Sequence, residues 1–188
     1  MVLVFLAYGN TFLNSFHYDD FHSILQSPWI RGLDKIPQFW LSFSQRPLLI
    51  LTFNINYAIS QFNVWSYHLF NILGHMGVAL LVYRFVALAN EILDSRLAAS
   101  TQKPKAEPLL AALIFALHPI NTQSVNNITG RSSVLVTLFY LATLILLCQG
   151  LRQRNGAASG APTRYFIGAV VCLVCGALSK EIIMTLPA

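Results

Sequence analysis

Charge is what this sequence has least of. Only 10% of its 188 residues are Asp, Glu, Lys or Arg, against roughly 25% in an average soluble domain, and 55% are hydrophobic. Too little polar surface exists to coat a water-soluble globule, so the solvent for this chain is lipid. Cysteine is scarce too: Cys148, Cys172 and Cys175 all fall inside apolar stretches, so Cys172-x-x-Cys175 reads as packing on one buried helix rather than a redox or zinc motif. No Gly-rich phosphate loop, nucleophile elbow or dinucleotide fingerprint occurs, which leaves cytosolic nucleotide chemistry unsupported. No internal repeat, low-complexity tract or metal-ligand spacing is found; no cofactor is predicted and no metal ligands are singled out, while the sequence leaves dependence on a divalent metal open. The net charge of +5 would suggest nucleic acid in a soluble protein, but the basic residues gather at the ends of apolar blocks, as membrane orientation requires. Nucleic acid is not an expected partner.

What is present is a series of apolar blocks. A helix crossing the hydrocarbon core needs about 20 residues, which the block from Trp65 to Leu88 supplies outright and the others reach only with flanking residues. The expected fold is all-α and polytopic. Membrane helices are expected at about 1–13, 65–88, 106–118, 132–149 and 164–179, with the start of another at 182–188. Lys180 and Glu181 leave open whether 165–187 is two helices or one bent span. A signal peptide is the rival for 1–13, but it lacks a basic start and a small-residue cleavage site. The first block starts at Met1 too short to span and the last stops at Ala188, so the chain is read as truncated at both ends.

Sidedness follows from the basic residues. Arg84, Arg96, Lys103, Lys105, Arg152, Arg154 and Arg164 lie in or beside 84–108 and 150–164, and both segments are assigned to the cytoplasm, the second as a flexible loop. Loop 14–47, loop 118–131 and the turn at 179–181 then emerge on the extracytoplasmic face, together with every unusual polar cluster of the chain. Between the first loop and the second membrane helix, 47–63 starts with a proline and carries two stripes at helical spacing. One is apolar (Leu48, Leu51, Ile55, Ile59, Phe62) and the other polar (Thr52, Asn56, Ser60, Asn63). An amphipathic helix lying along the outer interface is expected.

Asp19 and Asp20 stand in Phe16-His-Tyr-Asp-Asp-Phe-His22. Either they are a hydrated loop end or helix cap, or one of them is a general base, partly desolvated by the flanking Tyr and Phe. Adjacent residues diverge on any regular element, so at most one is the base. His118-Pro119 and Gly130-Arg-Ser132 frame the second outer loop, where Arg131 opens a helix at its dipole-positive end; it either clamps a phosphate or snorkels to the interface. Lys180 and Glu181 read most simply as an ion pair with each other. His68, Asn71 and His75 form one polar stripe, read as interhelical hydrogen bonding rather than ligation. Asn127-Ile-Thr129 matches a glycosylation acceptor too short a pattern to weigh.

The order of these clusters resembles the transmembrane and tetratricopeptide-repeat family of the GT-C glycosyltransferase superfamily, in its bacterial type. The matching segments are Phe16-His-Tyr-Asp-Asp-Phe-His-Ser-Ile24, Arg46-Pro-Leu-Leu-Ile-Leu-Thr-Phe53, Trp65-Ser-Tyr-His-Leu-Phe-Asn71 with His75, Phe115-Ala-Leu-His-Pro119 with Gly130-Arg-Ser132, and Leu178-Ser-Lys-Glu181. Asp19-Asp20-x-His22 also looks like the Asp-Glu-x-His of protein O-mannosyltransferases, by which Asp19 would be the base. The resemblance implies transfer of a sugar, possibly mannose, from a polyprenyl-phosphate donor in the membrane to a protein hydroxyl. Arg131, Lys180, His118 and Arg46 would hold the donor phosphate, with His22 and Glu181 as further site candidates. It also implies that the tetratricopeptide repeats are absent from this chain, which alone is expected to be inactive. The bacterial type implies an inner membrane with a periplasmic site; the alternative is the endoplasmic reticulum, with a lumenal one. The competing readings are a transporter or flippase, and a non-catalytic membrane scaffold.

Overall fold

The computed structural model describes residues 1–37, 46–97, 106–155 and 162–186. Among the described residues there are helices and turns but no strand, and the chain is an all-α membrane protein. Helix α1 (Val2–Tyr8) runs on into a 3-10 turn, Gly9–Leu13. The first loop then forms a π turn (Phe21–Leu25) and two 3-10 turns (Pro28–Ile30 and Leu33–Lys35). The remaining helices are α2 (Pro47–Ser60), α3 (Trp65–Leu97), α4 (Glu107–Leu117), α5 (Thr122–Asn126), α6 (Arg131–Asn155) and α7 (Pro162–Ala177), before a 3-10 turn at Glu181–Thr185. Pro47, Pro108 and Pro162 each fall in a first helical turn, where a missing N–H costs no hydrogen bond and the fixed φ suits the helix. Helix α4 stops at Leu117 because His118, extended before Pro119, cannot stay helical.

Two helices are long and apolar enough to cross a membrane, Trp65–Ser95 and Arg131–Arg154. A third span results if α4 and Pro119–Asn126 are taken as one span bent by 48°. The first and last apolar segments and α2 are shorter apolar helices.

Several boundaries differ from the sequence reading. Helix α3 extends past residue 88 to Leu97, and α6 past residue 149 to Asn155, so both helices invade the segments read as cytoplasmic connectors. Hydropathy falls where lipid ends, whereas the backbone hydrogen bonds continue through helix-forming polar residues. Glu91 accepts from Arg84 (3.0 Å) on its own helix and from Arg152 (2.5 Å) on α6, tying the two projecting ends together. The segment 182–188, expected to open another helix, is a 3-10 turn over its first residues, and 187–188 lie outside the described residues.

Helix α2 is turned the opposite way from the expected interfacial helix. Thr52 and Asn56 of its polar stripe are buried against the bundle, while Ile55 and Ile59 face outward. In lipid an outward polar face is the costly one, so the hydrogen-bonding side chains point into the protein. Beneath α2, Ile24, Ile30, Leu49, Phe53, Tyr67, Ile128 and Leu135 form one core that joins the first loop to α2, α3 and α6. Helices α3 and α6 approach closely where a Cβ on Gly74 would lie 2.9 Å from a Val134 methyl.

Candidate functional site

Three polar segments converge beside the start of α6: the loop after α1, the segment 118–130, and the turn after α7. The two aspartates of the first loop do different things. Asp20 is 1% exposed, and its carboxylate accepts the His17 amide at Oδ2 (3.1 Å) and the Thr129 amide at Oδ1 (2.9 Å). It fastens the first loop to a segment 109 residues away. Tyr18 at φ 47° turns the chain tightly here, and Asp19 emerges on the other side, exposed and lining a cavity. Asp19 is therefore the carboxylate free to meet a ligand.

That cavity has a volume of about 450 Å³, within the roughly 300–1,000 Å³ usual for small-molecule sites. Its wall is mostly polar, with Leu49 of α2 contributing apolar surface. The first loop contributes Asp19, His22 and Ser23; the second contributes Gln123, Ser124, Asn127, Thr129 and Gly130; α6 contributes Ser132 and Ser133. Arg46, at the N-cap of α2, and Lys180, from the turn after α7, supply two cations. Lys180 Nζ donates to Ser133 Oγ at 2.9 Å. The Leu48 amide donates to the Leu178 carbonyl at 3.0 Å, which brings the start of α2 alongside that turn.

Lys180 and Glu181 do not pair with each other, contrary to the simplest reading of the sequence. The backbone at Lys180 is extended, so successive side chains point apart. Glu181 instead binds Arg46 bidentately, Nε to Oε1 at 3.3 Å and Nη2 to Oε2 at 3.2 Å. The Arg46 hydrogen bonds hold the Glu181 carboxyl below the usual carboxylate range.

Arg131 does not reach the cavity. It is completely buried, donating through Nε to Asn71 Oδ1 (2.8 Å), through Nη1 to Thr52 Oγ1 (3.1 Å) and Asn56 Oδ1 (2.5 Å), and through Nη2 to the Tyr67 carbonyl (2.9 Å). Its guanidinium also stacks over Phe70 and Phe53, at 4.3 and 4.8 Å from the ring centroids. Its fork is spent inside the protein, so the expected phosphate clamp gives way to a keystone joining α2, α3 and α6. His118 is likewise outside the cavity; its Nδ1 accepts the Ile120 amide (3.2 Å) and caps the 3-10 turn that follows.

The polar stripe on α3 links helices and loops. Asn71 donates to the carbonyls of Val125 (3.2 Å) and Asn127 (3.0 Å), His75 Nε2 meets the Ala116 carbonyl (3.0 Å), and His68 Nδ1 meets Thr11 Oγ1 (3.2 Å). Among the described residues no three His, Cys, Asp or Glu side chains converge. Sequence reasoning missed the hydroxyl and amide residues of the cavity wall. Gly130-Arg-Ser132 marks the place in the sequence, but its arginine is the conspicuous residue and the serines beside it are the ones that line the wall.

The chain is similar over nearly all its length to proteins of the TMTC family. It is 34% identical to mouse protein O-mannosyl-transferase TMTC2 over 93% of the chain and 21% of that protein. To human TMTC2 it is 33% identical, with the same coverage of both chains. To Drosophila melanogaster Tmtc2 it is 33% identical over 97% of the chain and 20% of the relative. The chain thus spans about a fifth of the length of these curated relatives. They are animal proteins, so they lend nothing to the bacterial type or the bacterial inner membrane expected from the sequence. No family model matches, and no solved structure does.

Proposed function

We propose that this chain is the catalytic-loop end of a TMTC-like protein O-mannosyl-transferase of the GT-C type, moving a sugar from a polyprenyl-phosphate donor to a protein hydroxyl. The observation that carries this reading is the polar cavity holding one free carboxylate, Asp19, together with the cations Arg46 and Lys180. Mannose is the sugar that the names of the relatives suggest.

The chemistry assigns each group a step. The acceptor hydroxyl oxygen attacks the anomeric carbon while Asp19 takes its proton. The bond from that carbon to the phosphate oxygen breaks, its electron pair leaves with the lipid phosphate, and Lys180 and Arg46 stabilise the charge that develops there. A single displacement inverts the anomeric centre. The hydroxyls and amides of the wall, Ser23, Gln123, Ser124 and Asn127 among them, suit the hydroxyls of a sugar. The cavity lies at the bundle end opposite the Arg84–Glu91–Arg152 cluster, and positive residues favour the cytoplasmic side. The site therefore faces away from the cytoplasm, and the animal relatives favour the lumen of the endoplasmic reticulum.

The test is transfer by the full-length protein in membranes from a polyprenyl-phosphate sugar to a Ser/Thr acceptor. Asp19→Asn should lower transfer by about 10²–10⁴-fold, the usual contribution of a general base. Undiminished transfer by that variant overturns the assignment.

A further inference from the structure

One ion pair reaches the cavity through only one of its two partners. Arg46 lines the cavity; Glu181, which grips it, does not. We propose that Glu181 is a positioning residue, holding the Arg46 guanidinium in the cavity wall so that Arg46 and Lys180 together clamp the phosphodiester of a lipid-linked sugar. The inference rests on the donor class proposed above and adds a residue that acts on the donor only through another.

Five observations support it. A bidentate carboxylate–guanidinium pair fixes the plane of the fork, whereas a single contact would let it swing. It engages Nε and Nη2, and among the described residues Nη1 has no partner, so donors remain for an anion. The extended backbone at Lys180 separates neighbouring duties, sending Lys180 to Ser133 in the cavity wall and Glu181 to Arg46. Arg46 itself sits at φ 64°, a left-handed conformation that residues with a Cβ rarely keep unless their surroundings hold them there. Glu181 and the Leu48–Leu178 backbone bond are those surroundings. The pair is solvent-accessible, at 38% and 63% side-chain exposure, so it adds little to folding and is free to serve orientation.

A mere staple between α2 and the turn would use the same contacts, and exchanging the charges separates the two roles. Binding of a polyprenyl monophosphate in detergent is measured for the full-length wild type, Glu181→Gln, Glu181→Asp and the double variant Arg46→Glu/Glu181→Arg, with thermal unfolding followed alongside. Glu181→Gln should weaken binding about fivefold, or about 1 kcal/mol at 1.4 kcal/mol per tenfold, without lowering the unfolding temperature. Glu181→Asp should recover part of the loss, and where transfer is measurable Glu181→Gln should raise the donor KM and also lower kcat, because the Arg46 it positions stabilises the charge developing on the leaving phosphate. The exchanged pair should keep the wild-type unfolding temperature yet bind no better than Glu181→Gln, because a carboxylate then lines the cavity. Wild-type binding by Glu181→Gln, full binding by the exchanged pair, or no binding by the wild type would each overturn the proposal. Binding that falls as expected without any sugar transfer by the wild type would sink the proposed enzyme and leave the clamp standing.

Discussion

Replacing Arg131 separates a keystone from a phosphate ligand. Its guanidinium makes hydrogen bonds to Asn71, Thr52, Asn56 and the Tyr67 carbonyl, all out of water, and lies over Phe70 and Phe53. Arg131→Met removes the charge and strands the acceptors on α2 and α3. Hydrogen bonds to charged groups contribute about 1.5–3 kcal/mol each, but the loss is not additive, because the cost of burying the charge disappears with it. A net destabilisation of about 3–5 kcal/mol is expected, the range for breaking a buried charged network. Arg131→Lys should recover little, since one ammonium cannot span partners that the planar fork reaches from three nitrogens. Unfolding of the full-length protein in bicelles, followed by tryptophan fluorescence with donor binding measured in parallel, reads both effects. The keystone role predicts that both variants lose stability, and that the folded fraction of each still binds donor phosphate. Arg131→Lys within about 1 kcal/mol of wild type, but with donor binding abolished, would refute the reasoning and return Arg131 to the phosphate.

Three further outcomes follow from the same geometry. A Cβ at Gly130 would lie 2.7 Å from the Gln123 carbonyl and 2.9 Å from that of Asn127, so Gly130→Ala must shift the backbone that carries Thr129; a loss of about 1–3 kcal/mol and more than about tenfold lower transfer are expected, checked by unfolding and by transfer assay. Asp20→Asn keeps one acceptor oxygen and should lose about 1 kcal/mol, whereas Asp20→Ala strands two amides and should lose about 3 kcal/mol; residual transfer by Asp20→Asn above that of Asp19→Asn would distinguish the tie from the base. The Glu181 carboxyl is held below its usual range by Arg46, so its pairing is complete above the unfolded pKa of about 4.3 and is lost only as pH falls through the lower folded value; the carboxyl ¹³C shift should titrate below that of a free glutamate and move upward in Arg46→Ala.

The fold class was legible because it depends on a sum. Low charge and blocks of apolar residues identify a membrane helix whatever its neighbours are, and they located the apolar parts of α3 and α6. The ends of those helices were not legible from hydropathy, since Glu91 and Arg152 continue the helices outside lipid and meet each other across a separation of 61 residues. The orientation of α2 was readable in principle. A polar stripe of Thr52 and Asn56 next to apolar neighbours fits a helix facing water, but it fits equally a helix whose outer face is lipid and whose inner face must satisfy an arginine.

The site divides along the same line. Asp19 and Lys180 could be singled out because carboxylates and cations are few in this chain, and scarcity makes each one informative. Their roles relative to Asp20 and Arg131 could not, because those roles are assigned by distant partners: Thr129 takes Asp20 out of the cavity, and Thr52, Asn56, Tyr67 and Asn71 take Arg131. In a membrane protein a charge near a helix end has two low-cost states, solvated in an open cavity or saturated with hydrogen bonds inside the bundle. Local sequence is the same for both. What separates them is whether enough neutral donors or acceptors lie within reach, and the polar stripes of α2 and α3 were the visible sign that Arg131 had somewhere to go. An unclaimed polar stripe on one helix and an unpaired cation on another should therefore be read together, as a pair of half-sites, before either is assigned to a ligand.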